Sequence, residues 1–292
     1  MTAVQIKESI MKIILSRKGF DSSTGKITSP IFDNGDMLSY PIPENISKGV
    51  IREEFSMLQY NGLDLAELLN QFGYGEEKNQ ICHIDPDLVE KRRKNEVNNW
   101  KAIFGQCGPA ASYLNNTVKV KVGDIFLFFG NFHHVTKQED GTYNKVKRTG
   151  DFYRDNDLQV IWGYLQVGKI VTNREEQGEY GWHPHSKTHY THEVSNNTMY
   201  IASKTLSFNS NMDGYGILMF RKDRVLTKEK YTKANWIKHQ VYDTNSIIGN
   251  RTNKSKDENL SIYYQGQWQE LGLKETKECE EWAKKILNNN LQ

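Results

Sequence analysis

Cysteine is scarce in this chain. Cys82, Cys107 and Cys279 are its three thiols, odd in number and widely separated. They form neither a disulfide framework nor a CxxC knuckle. No disulfide and no structural metal are therefore expected, and a reducing cytoplasm suits the chain. Long apolar runs are missing as well. No stretch reaches the roughly 18 residues that a membrane helix needs, so no membrane partner is expected. The start of the chain lacks signal-peptide architecture. Residues 1–10 read as an extension ahead of one folded unit over residues 11–292. An excess of charge is also absent, since 38 basic and 36 acidic residues leave a formal +2. Such a surface releases few counterions, so binding to unmodified duplex DNA is expected to be weak or nil. The patterns GxxxxGK[ST], HExxH and HxE…PCxxC do not occur. Their absence sets aside a P-loop, a zincin site and a zinc-deaminase site.

What is present is a globular composition, 37% hydrophobic, with fifteen Tyr and six Trp. Such rings serve cores and base-stacking surfaces equally well. Lys12 to Leu15 reads as a buried strand that feeds a polar loop from Ser16 to Ser23. Ser29 to Pro43 reads as ordered loop or hairpin. Asp64 opens a helix whose Leu65, Leu68, Leu69 and Phe72 share one face, with Gly73 ending it. Phe104 to Gly108 reads as a glycine loop, and Pro109 as the start of a short helix. Val118 to Val122 alternates like a strand. Gly123-Asp124 is a tight turn, with Asp124 tying it. Ile125–Phe129, Val160–Val167, Met199–Ala202 and Ile217–Phe220 read as further strands. Lys274 to Leu287 reads as an amphipathic helix with Cys279, Trp282, Ala283, Ile286 and Leu287 on its apolar side.

Three segments carry candidate chemistry. In the first loop, Arg17 and Lys18 suit a phosphate or carboxylate, with Ser16, Ser22 and Ser23 able to share in binding and Asp21 able to orient the Arg or act as a base. The plainer alternative is a solvated turn. His83, Asp85 and Asp87 alternate, so their side chains can converge on a metal or a ribose if the segment is extended. The competing reading, favoured by Pro86, is an Asp-Pro turn with Asp87 capping a helix. His183 and His185, with His189 and His192 nearby, form a histidine-rich loop. A nucleotide or phosphate contact suits it better than a structural metal, and a polar surface loop is the alternative. Gln106, framed by Gly105 and Gly108, can read a base edge or hold the loop together. The motifs single out no cofactor.

These residues resemble the nucleotide modification associated domain 3 family of phages and bacteria. The resemblance rests on SRKGFD (Ser16 to Asp21), SP…G…S.PIP (Ser29 to Pro43), HIDPDL (His83 to Leu88) and FGQCGPA (Phe104 to Ala110). GDIFLFFGNF (Gly123 to Phe132), IWGYLQVG (Ile161 to Gly168), WHPH (Trp182 to His185) and GQWQE (Gly266 to Glu270) continue it. Tyr113 departs from it, standing where a histidine is expected. The resemblance implies an association with DNA-base modification, in a bacterial cell or a phage-infected host, and names no reaction. The middle β segment also looks like the PUA-like barrels that recognise modified bases.

The expected fold is α+β. A bent mixed or antiparallel sheet, a PUA-like partial barrel over roughly residues 110–225, packs against an N-terminal strand-loop-helix portion. The expected ligand is a nucleotide or nucleobase. Asp21, His83 and Asp85 are the candidate catalytic residues. Ser16, Arg17, Lys18, Ser22, Gln106, His183 and His185 are the candidate ligand contacts, and no metal ligand is assigned. Two functions stay open: an enzyme acting on the nucleotide or base, and a module that binds or sequesters it in phage–host conflict without turnover. Oligomeric state is not legible.

Overall fold

The computed structural model describes residues 10–20, 25–44, 53–74, 80–187, 192, 194–249, 251, 253–254, 257–264 and 266–288. The strands that position the site are, in chain order, β1 (Ile13–Arg17), β2 (Ser29–Ile31), β3 (Ile42–Pro43), β4 (Cys82–His83), β5 (Ile103–Gln106), β6 (Ile125–Lys137), β7 (Tyr143–Lys145), β8 (Leu158–Val171), β9 (Thr198–Ala202), β10 (Tyr215–Ile217) and β11 (Glu270–Gly272). The helices are α1 (Leu65–Gln71), α2 (Gly108–Ser112), α3 (Phe152–Asp155), α4 (Arg174–Gly178) and α5 (Lys277–Leu287).

β6 and β8 organise a mixed sheet of nine strands, whose main path runs β11-β1-β6-β8-β9-β5. β6 is buried over its first eleven residues, as befits a strand covered on both faces. β1 lies parallel to β6, whereas β8 is antiparallel to it. β8 carries irregularities in register at Trp162 and Gly168, one against β6 and the other against β9. Bulges of this kind bend a strand and increase its twist. Here they accompany a sheet curled into a half-barrel, as expected of a partial barrel. The two ends of the path approach each other: Gln106 Nε2 on β5 donates to Glu270 Oε1 on β11 at 2.7 Å.

The inner face is aromatic. Phe104 meets Phe126 and Phe128 edge-on at 4.8 and 5.3 Å and stacks on Tyr200 at 5.7 Å. α5 adds Cys279, Ala283, Ile286 and Leu287 to the same large core. A second, smaller core gathers Phe20, Tyr40 and Phe55 with Leu65, Leu68 and Leu69 of α1. Asp64 caps α1 by accepting from the Glu67 N–H at 3.0 Å, and Gly73 follows it with φ +77°.

Several boundaries differ from expectation. Ser16 and Arg17 belong to β1 rather than to a loop, and Phe104 to Gln106 belong to β5. Pro30 sits inside β2, which runs parallel to β6. The alternation over Val118 to Val122 makes no strand. Val118 ends a wide helical turn that follows α2, and Lys119 is left-handed. That turn lets Val118 pack against Gly272, where an added Cβ would lie 2.7 Å from Val118 Cγ2. β10 stops at Ile217 instead of reaching Phe220. The sheet is also wider than residues 110–225, because β1, β5 and β11 are part of it. No helix among the described residues is long and apolar enough to cross a membrane.

Candidate functional site

The site lies where the two ends of the curled sheet approach each other. Along β1, side chains alternate between faces. Ser16, paired with Glu270 in the antiparallel register, donates its hydroxyl hydrogen to Glu270 Oε1 at 3.1 Å. Lys18 follows just past β1, with its ammonium 3.5 Å from Glu270 Oε1 and 3.7 Å from Asp85 Oδ2. The ammonium also stands 4.3 Å above the centroid of Phe104, so the aromatic interior forms its floor. Arg17 takes another course: its Nη2 donates to the Gly266 carbonyl at 2.7 Å.

Asp85 is the hub. The Gly105 N–H donates to its Oδ1 at 2.6 Å. His183 Nε2 is 3.5 Å from Oδ1, and His185 Nε2 is 3.9 Å from Oδ2. Burial opposes charge on Asp85, but the interaction with His183 and the nearby Lys18 outweigh it and hold the carboxyl below the usual range. Burial lowers His183, with Asp85 opposing, and pushes His185 down to about 3. Asp85 is therefore an anion, and both imidazoles are neutral, near neutral pH.

Each histidine is held by its neighbours. His183 Nδ1 accepts from the His185 N–H at 3.3 Å. His185 Nδ1 is 2.7 Å from Asn197 Oδ1, and the Asn197 amide donates to Gln177 Oε1 and to the His185 carbonyl. Gln177 in turn is fixed by its own donations to the carbonyls of Val171 and Asn197. His83 lies edge-on to His185 with ring centroids 5.2 Å apart, and its Nδ1 is 3.6 Å from Glu44 Oε2. His83, Asp85 and His185 can each offer a ligand atom such that all three lie within 4.8 Å of one another. A narrow space of about 30 Å³, room for about one water, borders Asp85. It shares Val89, Arg92 and Ile217 with a cleft of about 370 Å³ beside Tyr60.

The sequence match decides the family. The family profile for nucleotide modification associated domain 3 covers residues 12–279. The chain belongs to the nucleotide modification associated domain 3 family. Its name ties the chain to nucleotide modification without stating an activity. Comparison with curated proteins and with solved structures finds no match.

Of the residues singled out in the sequence, the structure brings together Ser16, Lys18, His83, Asp85, Gln106, His183 and His185. Arg17 is directed to the 266 carbonyl. Asp87 leaves the alternation: Arg93 Nη1 donates to it at 2.6 Å, and Arg93 also pairs with Glu53. Asp21, Ser22, Ser23 and His189 lie outside the described residues. The histidine loop is no surface loop at His183 and His185, which are 0% and 3% exposed. Glu270, Glu44 and Asn197 are site residues that sequence reasoning missed. Only Glu270 carried a signal, since it closes the GQWQE stretch. Tyr113, at the position where a histidine was expected, is structural: its hydroxyl donates to the Ile248 carbonyl and accepts from the Gly272 N–H.

Proposed function

We propose that the cluster around Asp85 binds a nucleotide or modified base and performs acid–base chemistry on it. The observation that supports this is the convergence of Ser16, Lys18, Asp85, Gln106, His183, His185 and Glu270, each at most 8% exposed, from distant parts of the chain. Burying so many polar and charged groups costs more than an apolar core of the same volume, which points to a role beyond stability. A neutral imidazole oriented by a carboxylate suits proton transfer. Gln106 and the histidines suit the edge of a base.

Lys18 does not make a simple phosphate site. Two carboxylates already face it, and a phosphate there would meet both. The base or sugar is therefore the part of the ligand assigned to this cluster. Binding of unmodified duplex DNA is weak on this reading.

A second reading keeps the ligand and omits turnover. It is favoured by the closed ion pairs around Lys18, and it makes the protein a nucleotide-sequestering module. Mass spectrometry of small molecules released from the purified chain, followed by calorimetry with nucleosides and nucleotides, tests both. A bound nucleoside or nucleotide is expected, with Asp85→Asn weakening it by about 1.5–3 kcal/mol, the range for a hydrogen bond to a charged group. A ligand returned with altered mass supports chemistry, whereas an unaltered one supports sequestration. Failure of every nucleoside, nucleotide and modified base to bind the wild-type chain would end both readings.

A further inference from the structure

The geometry points to a divalent transition-metal site formed by His83, Asp85 and His185. This departs from the absence of metal expected from the sequence. It concerns the same cluster as the nucleotide reading but is tested without nucleotide, so either can fail alone.

Two imidazoles and one carboxylate are a donor set for borderline divalent ions such as Zn²⁺, Fe²⁺ or Co²⁺. Their ligand atoms already lie within 4.8 Å of one another. Metal–ligand distances near 2.1 Å require separations of roughly 3–3.5 Å, so closing the widest separation takes about 1.3–1.8 Å. Three protein ligands leave positions for water or for a ligand atom.

The surroundings orient the donors as a metal needs. The Asn197 amide NH₂ donates at 2.9 and 2.8 Å to Gln177 Oε1 and the His185 carbonyl, so Asn197 Oδ1 is an acceptor. His185 Nδ1 therefore carries the hydrogen, and in the neutral ring the lone pair is on Nε2, the atom facing Asp85. Glu44 Oε2 stands 3.6 Å from His83 Nδ1, so a small shift would bring this carboxylate onto the ring nitrogen as an orienting partner. The Gly105 N–H fixes one oxygen of Asp85, and Oδ2 faces His185. His183 Nε2, wholly buried and 3.5 Å from Asp85, has no hydrogen-bond partner among the described residues. The Lys18 ammonium competes for Asp85 Oδ2 and can retain Glu270 when an ion enters.

The test titrates Co²⁺, read by visible absorption, and Zn²⁺, read by calorimetry, into the chelator-treated full chain. One ion per chain is expected. His185→Ala and Asp85→Asn should each weaken binding by at least about 100-fold, and Asn197→Ala by about 10–100-fold, as for residues that orient a ligand. Lys18→Met, which removes the competing ammonium, should tighten it. Circular dichroism identifies any variant that fails to fold. No binding of either ion by the wild-type chain at millimolar concentration overturns the proposal. So does binding that survives both His185→Ala and Asp85→Asn in folded protein, or binding by folded Lys18→Met no tighter than wild type.

Discussion

Replacing Gly105 by alanine probes the cluster without changing a charged group. An added Cβ would lie 2.2 Å from His185 Cδ2 and 2.3 Å from its Cγ. Carbon atoms rest about 3.5–4.0 Å apart, so the ring must retreat by more than an ångström. It has little room, being 3% exposed and tied by Nδ1 to Asn197 at 2.7 Å. Overpacking a filled interior costs about 1–3 kcal/mol. Breaking the tie to Asn197 leaves a buried acceptor unmet, at about 1–3 kcal/mol. The expected loss is therefore about 2–6 kcal/mol, read by urea unfolding followed through tryptophan fluorescence. Gly178→Ala is the control. That glycine closes α4, no atom lies within 4 Å of its added Cβ, and its stability should stay within about 1 kcal/mol of wild type. The cause can be isolated in a double variant. With His185→Ala already present the ring is gone and only the His185 Cβ, 2.9 Å from the added Cβ, remains in the way, so Gly105→Ala should then cost much less, giving strong coupling between the two sites. A full cost in that background, or none in the wild-type background, would refute the steric argument.

Two other outcomes follow from groups remote from the site. Arg224, 1% exposed, donates from Nε and Nη2 to the Ile286 carbonyl and from Nη1 to the Met219 carbonyl, anchoring the end of α5. Arg224→Met keeps the bulk and removes these donors, so urea unfolding should show a loss of about 2–4 kcal/mol, and an unchanged midpoint would contradict the anchoring role. His134 is held down to about 4, first by burial and then by Arg154 and His133. As pH falls below about 6.5 the unfolded chain takes up this proton before the folded one does. Stability from this group is therefore present above that pH and lost down to about pH 4, with a slope of at most about 1.4 kcal/mol per pH unit. His134→Phe should flatten that part of the stability profile, measured by urea unfolding across the range; an identical slope in the variant would refute the assignment.

Sequence patterns were most legible where a residue answers to its own neighbours. Asp64 caps the helix it precedes, Gly73 closes that helix, and Asp124 ties its turn by accepting from Lys121 N–H at 2.8 Å and from Lys12 N–H at 2.9 Å. The strands at the centre of the sheet were legible for the same reason, since continuous burial leaves continuous apolar runs. Where a distant residue decides, local pattern fails. Val118 to Val122 alternates, yet the demand of Gly272 for a close neighbour turns the chain there. Asp87 looks equivalent to Asp85, but Arg93 claims it. Arg17 and Lys18 look like one cationic pair, and the alternation of a strand that extends further than expected separates them. The histidine loop, the HID segment and Lys18 were each recognised as candidates, but their meeting around Asp85 is a property of the curl. Glu270 was missed because its partners Ser16 and Gln106 are 254 and 164 residues away in the chain.

The meeting of the sheet's ends has a consequence for the order of events during synthesis. β1 emerges from the ribosome early and can pair with β6 once residue 137 is out. Its other neighbour, β11, does not exist until residue 272 has been added. Until then Lys18 lacks Glu270, Gln106 lacks the same carboxylate, and that edge of β1 has no strand to cover it. A nascent chain halted before β11 can hold most of the interior while its polar cluster remains incomplete. The set of charges and hydrogen bonds around Lys18 is therefore completed only once residue 272 has been added.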